Sequence, residues 1–370
     1  MTARDEAAKI FALADIRING KRPWDIQVHD ERFYGRVITG GSLALGESYM
    51  DGLWDAERLD EFFTHVQAAQ LQRKVRITPK LAFHYAKAVV LNQQSKRRAH
   101  IIGERHYDIG NDLYEAMLDK SMTYSCGYWR DAKTLDAAQD AKYELICKKI
   151  GLEQGMRVLD IGCGWGGFLI YAARKYRAKG TGITVSKEQA ELARRRAKGL
   201  PIEVRLQDYR ELNEKFDRII SIGMVEHVGA KNYRTYMRVA RRCLADDGLF
   251  LLHTIGALRS TTATDPWIAK YIFPNSMLPS IAQLGKAAEG LFVIEDLHNF
   301  SADYDKTLMA WDANFRKAWP RLKRKYGERF YRMWRFYLMA SAGGFRARKL
   351  QLWQFVLSPN GVRNGYQRTS

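Results

Sequence analysis

The amino-acid sequence predicts an α/β protein built around a parallel β-sheet. Through the middle of the chain, apolar runs of strand length alternate with stretches of helical pattern. The first of these runs leads into a glycine-rich loop, and later runs end in side chains that can carry out acid–base chemistry. Strands separated by helices of this length pair in parallel through right-handed crossovers.

The predicted elements follow one another in a regular order. Five strands are predicted at 157–162, 180–185, 202–206, 217–223 and 248–255. Helices between or after these strands are predicted at 167–177, 186–198 and 231–244. The remaining predicted elements are a strand at 291–298, two aromatic-rich helices near 304–319 and 326–343, and a last strand at 351–358.

The N-terminal quarter of the chain differs in character from the rest. It contains helical patterns, turn signals such as Gly40-Gly41-Ser42, and an amphipathic stretch at 59–77, and a basic segment follows it. We therefore expect a small, mainly helical N-terminal domain at 1–95 and a larger domain at 96–370.

The composition excludes several classes of protein. Of the 370 residues 46% are apolar and 27% are charged, which excludes a mostly disordered chain. Four cysteines are too few for a disulfide framework, and no apolar run of about 18 residues predicts a membrane-spanning helix. The N-terminus carries charges of both signs and lacks an apolar core, so we expect no signal peptide and a cytoplasmic location.

The glycine-rich loop, in the string VLDIGCGWGG, is the motif that carries most chemical information. Gly162, Gly164 and Gly166 allow a tight turn and the close approach of a ligand, and Gly162, Gly164 and Gly167 also satisfy the dinucleotide pattern G-x-G-x-x-G. Asp160 argues against a dinucleotide, because its carboxylate would repel a pyrophosphate but suits a sulfonium amino acid. The pattern D-x-G-x-G after a strand resembles the first motif of S-adenosylmethionine-dependent methyltransferases. The alternative is a glycine-rich turn that binds nothing.

Polar residues follow the next two strands at the same predicted edge of the sheet. Thr184, Ser186 and Gln189 could offer hydroxyl and amide groups to a ligand, whereas Ser186 and Gln189 could equally form a helix capping box. Asp208 follows the third strand, where it could face an adenine amino group or simply cap a helix.

The candidate catalytic groups lie after the fourth and fifth strands. Glu226 and His227 follow the fourth, and His253 ends the fifth, so they point toward the crevice where open α/β sheets bind ligands. Zinc is a rival interpretation, because Cys126, Glu226 and His253 are possible ligands, but no close-spaced pair supports it and no metal is predicted. Cys126 could also be an ordinary small buried residue, and Tyr304 could anchor the start of a helix.

Taken together, these strings resemble the cyclopropane-fatty-acyl-phospholipid synthase family over essentially the whole chain. The matching strings include GSLALGESYMDGLWD, HYDIGNDLYEAMLD, YSCGYW, VLDIGCGWGG, EHVGAKNY, HNFSADYDKTLMAW and GGFRARKLQLWQ. The first of them belongs to the small N-terminal domain of the bacterial synthases, which the mycolic-acid members lack. The resemblance therefore implies a Rossmann-like class I methyltransferase sheet and an N-terminal domain that helps to engage lipid.

The resemblance also implies a reaction and its participants. S-Adenosylmethionine supplies a methyl group to the cis double bond of an unsaturated phospholipid acyl chain, and loss of a proton closes a cyclopropane ring. A bound bicarbonate ion is the expected base, and its expected contacts are Cys126, Glu226, His253, Tyr304 and the backbone of Ile255. The cofactor contacts carried over are Tyr124 and Ser125 at the carboxylate, Gly162, Gly164 and Gly166 along the amino acid, Thr184 and Gln189 at the ribose, and Gln207 and Asp208 at the adenine.

The resemblance also suggests a role for the net positive charge of the chain. Sixty Lys and Arg against 41 Asp and Glu give a net charge of +19, and 12 of the basic residues lie within 316–349, among Trp and Tyr. Basic and aromatic residues together suit the surface of an anionic membrane, so we expect transient peripheral binding to unsaturated phospholipid. Nucleic acid is the competing partner, but no nucleic-acid-binding motif accompanies the charge, and none is expected to bind.

One position departs from the family, and two other functions stay open. The stretch MASAGGF has Ser341 where some relatives carry a cysteine, which suggests that a thiol is not required there. The same chemistry could instead produce methyl- or methylene-branched chains or methylate a small amine, and a non-enzymatic basic protein is the third possibility. The family is often dimeric, so a homodimer is expected.

Overall fold

The computed structural model describes residues 2–71 and 110–369. Its helices, in chain order, are α1 (Ala3–Ala12), α2 (Arg32–Met50), α3 (Leu59–Ala68), α4 (Asn111–Met117), α5 (Leu135–Lys149), α6 (Gly167–Tyr176), α7 (Lys187–Arg196), α8 (Tyr233–Cys243), α9 (Pro266–Tyr271), α10 (Ile281–Ala288) and α11 (Ala302–Arg346). Its strands are β1 (Gln27–Val28), β2 (Trp54–Asp55), β3 (Arg157–Ile161), β4 (Lys179–Thr184), β5 (Ile202–Leu206), β6 (Phe216–Ile222), β7 (Leu244–Ala257), β8 (Val293–Asn299) and β9 (Leu350–Ser358).

The chain forms two compact units. The first unit comprises the described part of 1–91 together with 263–274 and 304–350, and the remaining described residues form the second unit. The two later segments had been expected in the larger domain. They join the first unit because their apolar side chains pack there, as the ring of Phe336 does against Tyr49 and Phe63. The predicted boundary at residue 95 lies outside the described residues and stays a prediction.

The first unit is mainly helical and has an aromatic core. Phe33, Trp54, Phe62 and Trp267 are almost completely buried in it. Close helix packing needs a glycine at Gly343, because a Cβ there would lie 2.7 Å from the backbone of Phe63. In α11 the backbone leaves the helical conformation at Gly327 (φ 75°, ψ 164°), so the two helices predicted there are separated by this glycine. The amphipathic stretch predicted at 59–77 forms α3 as far as Ala68, and its last residues lie outside the described part.

The second unit contains a seven-stranded sheet in the described residues, in the order β5-β4-β3-β6-β7-β9-β8. The pairs β5–β4, β4–β3, β3–β6 and β6–β7 are parallel, as predicted, whereas β8 and β9 pair antiparallel with each other. Helices cover both faces over two apolar layers, one around Phe250 and Tyr236 and one around Ile146 and Phe168.

The predicted strands are confirmed, with one extension. β7 begins at Leu244, four residues before the predicted start at 248, and the pairing of β6 with β7 shifts register between Phe216 and Arg218. The extra residues on β7 are accommodated by this bulge, which period-two apolar patterns do not reveal. Within the described residues, no helix is both long and apolar enough to cross a membrane.

Candidate active site

A pocket of about 180 Å³ opens at the carboxyl ends of β3, β4, β5 and β6 in the second unit. Parallel α/β sheets bind ligands at this edge because the loops that follow the strands converge there. Nine of the ten residues predicted to bind the cofactor line the pocket: Tyr124, Ser125, Asp160, Gly162, Gly164, Thr184, Gln189, Gln207 and Asp208. The tenth, Gly166, is the residue that immediately precedes α6.

The glycine-rich loop has the backbone conformation that its sequence predicts. Gly162, Gly164 and Gly166 all have positive φ, at 90°, 52° and 80°. A Cβ on Gly162 would lie 2.9 Å from the Cγ of Met224, so side chains are excluded there by both conformation and space. The loop runs directly into the N-terminus of α6, where unpaired backbone N–H groups favour a ligand carboxylate.

Asp160 lies at the floor of this pocket, next to the glycine-rich loop. Its side chain is buried, and its Oδ1 atom has no hydrogen-bond partner in the described part of the chain. Burial raises the pKa of Asp160 to about 7, and the nearby Lys142 opposes this shift. A buried acceptor of this kind suits the ammonium group of an amino-acid ligand.

The residues after β4 serve the fold and the pocket at once. Ser186 caps α7 by accepting a hydrogen bond from the backbone N–H of Gln189 at 3.3 Å. The side chain of Gln189 does not complete a capping box; it accepts a hydrogen bond from Thr184 Oγ1 at 2.9 Å. Both side chains therefore line the pocket in a fixed arrangement, and the cap and the ligand interpretations are compatible.

Asp208 caps a helix, as one of its two interpretations expects, and it also lines the pocket. Its carboxylate caps a short 3-10 helix at Tyr209–Glu211 by accepting from the backbone N–H of Arg210 at 2.9 Å. The guanidinium of Arg210 also donates to both carboxylate oxygens, at 2.8 and 2.6 Å. Arg210 lines the pocket as well, and its hydrogen bonds fix the orientation of the Asp208 carboxylate there.

Two buried polar residues of α5 hold the segment that contains Tyr124 and Ser125. Gln139 Nε2 donates to the backbone carbonyl of Ser125 at 2.7 Å, and Lys142 Nζ donates to Ser125 Oγ at 2.8 Å. Sequence reasoning did not single out either residue. Their signal is the spacing of buried positions on α5, where Lys142 occupies the apolar face between Ala138 and Ile146.

Glu226 and Ile255 meet at the ends of β6 and β7. Glu226 Oε1 accepts a hydrogen bond from the backbone N–H of Ile255 at 2.7 Å, while its Oε2 is buried without a partner among the described residues. Burial raises the pKa of Glu226 to about 7, although the backbone hydrogen bonds oppose this. The carboxyl group can therefore be protonated near neutral pH and donate a hydrogen bond from Oε2.

His253 lies on β7, two residues before Ile255, and is fully buried. Its Nδ1 is 3.3 Å from Gln354 Nε2 on β9, while His253 Nε2 and Gln354 Oε1 have no partner in the part of the chain described. Burial holds the pKa of His253 well below its ordinary value, so the ring is neutral. We call Glu226, His253, Ile255 and Gln354 the β6–β7 cluster. His227, the neighbour of Glu226, faces the cofactor pocket instead.

The two other expected bicarbonate contacts, Cys126 and Tyr304, belong to the second and the first unit respectively. Cys126 is fully buried in the second unit, and its Sγ is 3.1 Å from the carbonyl oxygen of Gly127. Tyr304 belongs to the first unit, where its ring stacks on Phe345 with centroids 4.4 Å apart. The roles of both residues stay predictions. Residues 2–71 and 110–369 contain no group of three or more His, Cys, Asp and Glu side chains placed to hold a metal ion.

The comparison with known proteins decides the family. Residues 93–355 match the model of the mycolic acid cyclopropane synthetase family. The chain belongs to this family. Over 359 residues it is 53% identical to the cyclopropane-fatty-acyl-phospholipid synthase of Escherichia coli (strain K12). The aligned region covers 97% of this chain and 94% of that protein.

Solved structures of cyclopropane synthases agree with this assignment. The cyclopropane synthase MmaA2 from Mycobacterium tuberculosis is 31% identical, with a TM-score of 0.66, and covers 70% of this chain and 97% of its own. The mycolic acid cyclopropane synthase CmaA1, solved in complex with SAH and CTAB, is 33% identical with a TM-score of 0.65, at the same coverage. The predicted class I methyltransferase fold and the predicted S-adenosylmethionine-dependent enzyme of the cyclopropane synthase family are thereby confirmed.

Proposed function

We propose that this enzyme transfers a methylene group from S-adenosylmethionine to the cis double bond of unsaturated acyl chains in membrane phospholipids. The observation that carries the proposal is the extent of the similarity. The phospholipid synthase of Escherichia coli aligns with 97% of this chain, whereas the mycobacterial cyclopropane synthases align with about 70%. The family model itself begins at residue 93, so the match to the Escherichia coli synthase extends over N-terminal residues that the model does not cover.

The pocket in the second unit fits the methyl donor. S-Adenosylmethionine supplies an electrophilic methyl group on a positively charged sulfur. Asp160 would accept from its ammonium group, Ser125 and the N-terminus of α6 would hold its carboxylate, and Asp208 would face its adenine. The orphaned Oδ1 of Asp160 and the space that Gly162 keeps open are the features of this chain that support the fit.

The β6–β7 cluster fits a small oxyacid anion such as bicarbonate. Glu226 Oε2 and His253 Nε2 are buried polar atoms without partners in the described chain, and buried polar groups ordinarily have one. Bicarbonate would supply a base for the proton that leaves when the ring closes. Glu226 would orient it through a protonated carboxyl, and His253 through its second ring nitrogen. Cys126, Tyr304 and the backbone of Ile255 complete the set that we propose.

Exposed basic residues of α11 are the proposed contact with an anionic membrane. Several arginines of 316–349 form ion pairs with acids of the first unit: Arg316, Arg329, Arg332, Arg335 and Arg346. Lys317, Arg321, Lys323 and Arg324 are exposed. Each such residue near an anionic surface adds about 1 kcal/mol of binding free energy. The enzyme would thus work from the cytoplasm as a transient peripheral protein, in the homodimeric form that we expect.

The reaction can be tested directly. Methyl-labelled S-adenosylmethionine is incubated with the enzyme and vesicles of unsaturated phosphatidylglycerol, in buffer with or without bicarbonate, and the acyl chains are analysed by mass spectrometry. We expect labelled cyclopropane rings that depend on bicarbonate. Labelled methyl- or methylene-branched chains would select the alternative reaction, and unlabelled lipid would contradict both.

The membrane contact needs its own variant. Lys323→Glu with Arg324→Glu should weaken sedimentation with anionic vesicles at least about tenfold, because two charges change sign near the surface and the net charge falls by four units. The matched control is Arg195→Glu with Lys198→Glu, which makes the same change of charge at exposed positions in or just after α7. Equal binding by the two double variants would contradict the assignment to α11.

A further inference from the structure

Helix α5 buries two lysines whose surroundings differ. Lys142 and Lys149 are both fully buried. Lys149 lies 3.4 Å from the carboxylate of Asp296 and 3.0 Å from His298 Nδ1, so its charge is neutralised locally. The hydrogen bonds of Lys142 go to the neutral side-chain oxygens of Ser125 and Gln139, at 2.8 and 2.7 Å. Because these acceptors are neutral, they do not neutralise the positive charge of the Lys142 ammonium group. That charge can therefore act on more distant carboxylates.

The charges that act on Lys142 lie around the cofactor pocket. Burial lowers the pKa of Lys142 to about 7, and Asp119, Cys126 and Asp160 oppose this. From the other side, Lys142 is the cation that opposes the raised pKa of Asp160. Lys142 therefore holds Ser125 through a hydrogen bond and acts on Asp160 through its charge.

Gln139 extends the same arrangement along α5. It accepts from Lys142 through Oε1 and donates through Nε2 to the backbone carbonyl of Ser125. Lys142 and Gln139 therefore hold both the side chain and the backbone of Ser125. They are separated by one helical turn, so α5 presents them side by side to the loop.

We propose that Lys142 is a positioning residue for the methyl donor: its hydrogen bond fixes Ser125 in the pocket, and its charge acts on Asp160, which receives the ammonium group of S-adenosylmethionine. This inference rests on the proposed function only for the identity of the ligand, S-adenosylmethionine. It concerns the binding of that ligand and not the reaction on lipid. Lys142 itself does not line the pocket, and it acts through the two residues that do.

Titratable groups from several packed elements interact with Lys142 and Asp160. Lys142 of α5 acts on Asp160, and Asp160 in turn acts on Tyr143 of α5, Tyr236 of α8 and Cys163 of the glycine-rich loop. Lys142 is influenced by Asp119 and Cys126 of the preceding loop, and it acts in turn on His253 of β7. Burial, which raises the pKa of Asp160, and the charge of Lys142, which opposes it, are therefore the two causes that set the titration of Asp160.

The test is binding of S-adenosylhomocysteine, measured by calorimetry between pH 5.5 and 8.5, to the wild type and to Lys142→Met. We expect affinity at pH 7 to fall at least about tenfold, since a charged hydrogen bond and a counter-charge are lost. As the pH is lowered, the affinity of Lys142→Met should begin to decline at a higher pH than that of the wild type, because Asp160 without its cation takes up a proton more readily. Asp160→Asn should abolish that decline.

The matched control is Lys149→Met, which removes the other buried lysine of the same helix. It should reduce thermal stability at least as much as Lys142→Met does, yet leave the affinity and its pH dependence unchanged. Lys142→Gln keeps a donor for Ser125 without the charge and serves if the methionine variant does not fold. Its affinity should also decline at a higher pH than that of the wild type.

Two results would overturn the inference. One is equal affinity of the Lys142 and Lys149 variants; the other is a fall in affinity with no movement of the pH profile. Neither depends on lipid, so a wild type that binds S-adenosylhomocysteine but makes no cyclopropane would contradict the proposed function and leave this inference standing.

Discussion

The cofactor pocket and the β6–β7 cluster lie at the same edge of one sheet but satisfy their polar atoms differently. In the pocket, Thr184, Ser186 and Asp208 already form hydrogen bonds within the protein that fix their positions, although Asp160 Oδ1 there has no partner among the described residues. In the cluster, Glu226 Oε2, His253 Nε2 and Gln354 Oε1 are buried without partners among the described residues. The difference indicates that the pocket holds these side chains in place without a ligand, whereas the cluster leaves buried polar atoms for the small anion that we propose.

The largest effect is expected at the glycine-rich loop, where the pocket depends on backbone shape. Gly162→Val should reduce the affinity for S-adenosylhomocysteine at least about a hundredfold, because its Cβ would collide with Met224 and the positive φ is strained. Calorimetry measures the affinity, and thermal unfolding measures the stability.

Gly155→Val is the control for this change. Gly155 has a similar φ of 85°, but a Cβ there meets no atom within 4 Å. It should lose about 1–3 kcal/mol of unfolding free energy from strain while keeping ligand affinity. If both variants bound equally well, the loop would not be a ligand cradle.

The second effect separates the cluster from the pocket. Glu226→Gln should lower the rate of cyclopropane formation at least about a hundredfold, because the base loses its orienting carboxyl. Affinity for S-adenosylhomocysteine should stay within about threefold, since Glu226 does not line the pocket. Glu203→Gln, an exposed carboxylate on β5, is the control for lost charge. A parallel loss of affinity in Glu226→Gln would show that the two regions are one site.

The third effect concerns how the free energy of unfolding depends on pH. Burial raises the pKa of Glu226 from 4.5 to about 7, so the folded state holds its proton more tightly than the unfolded state does. The contribution is fully present below about pH 4.5 and is lost as the pH rises through 7. Between pH 5 and 8 the wild type should therefore lose about 3 kcal/mol more unfolding free energy than Glu226→Gln does. Urea unfolding curves at several pH values measure this, and parallel pH dependences would contradict it.

The smallest effect is expected at a cap. Ser186→Ala should lower the unfolding free energy by about 1 kcal/mol through loss of the α7 cap, and should reduce ligand affinity less than about tenfold. Ser280→Ala removes the corresponding cap of α10 outside the pocket and should match the stability loss without any change in affinity. An affinity loss as large as that of Gly162→Val would mean that Ser186 binds the ligand itself.

Periodicity and glycine spacing made the sheet and the cofactor pocket predictable. β5 was expected at the residues that form it, and the positive φ values of Gly162 and Gly164 follow from the loop motif. The roles of Lys142 and Gln354 could not be predicted in this way, because each depends on burial beside a residue distant in the chain. The grouping of α9 and α11 with the first unit was also missed, since no local pattern records which distant apolar face a helix covers.

The position of β9 has a consequence for synthesis of the chain. β9 is the last strand made, yet it lies between β7 and β8 and supplies Gln354 beside His253. While the ribosome is still making α11, β8 lacks the neighbour that it has in the finished sheet. Arg368 then pairs with Asp296 on β8, and Tyr366 donates to the carbonyl of Lys149 at 3.0 Å. The strand order found in the described residues can therefore form only after β9 has been synthesised, however early the other strands pair.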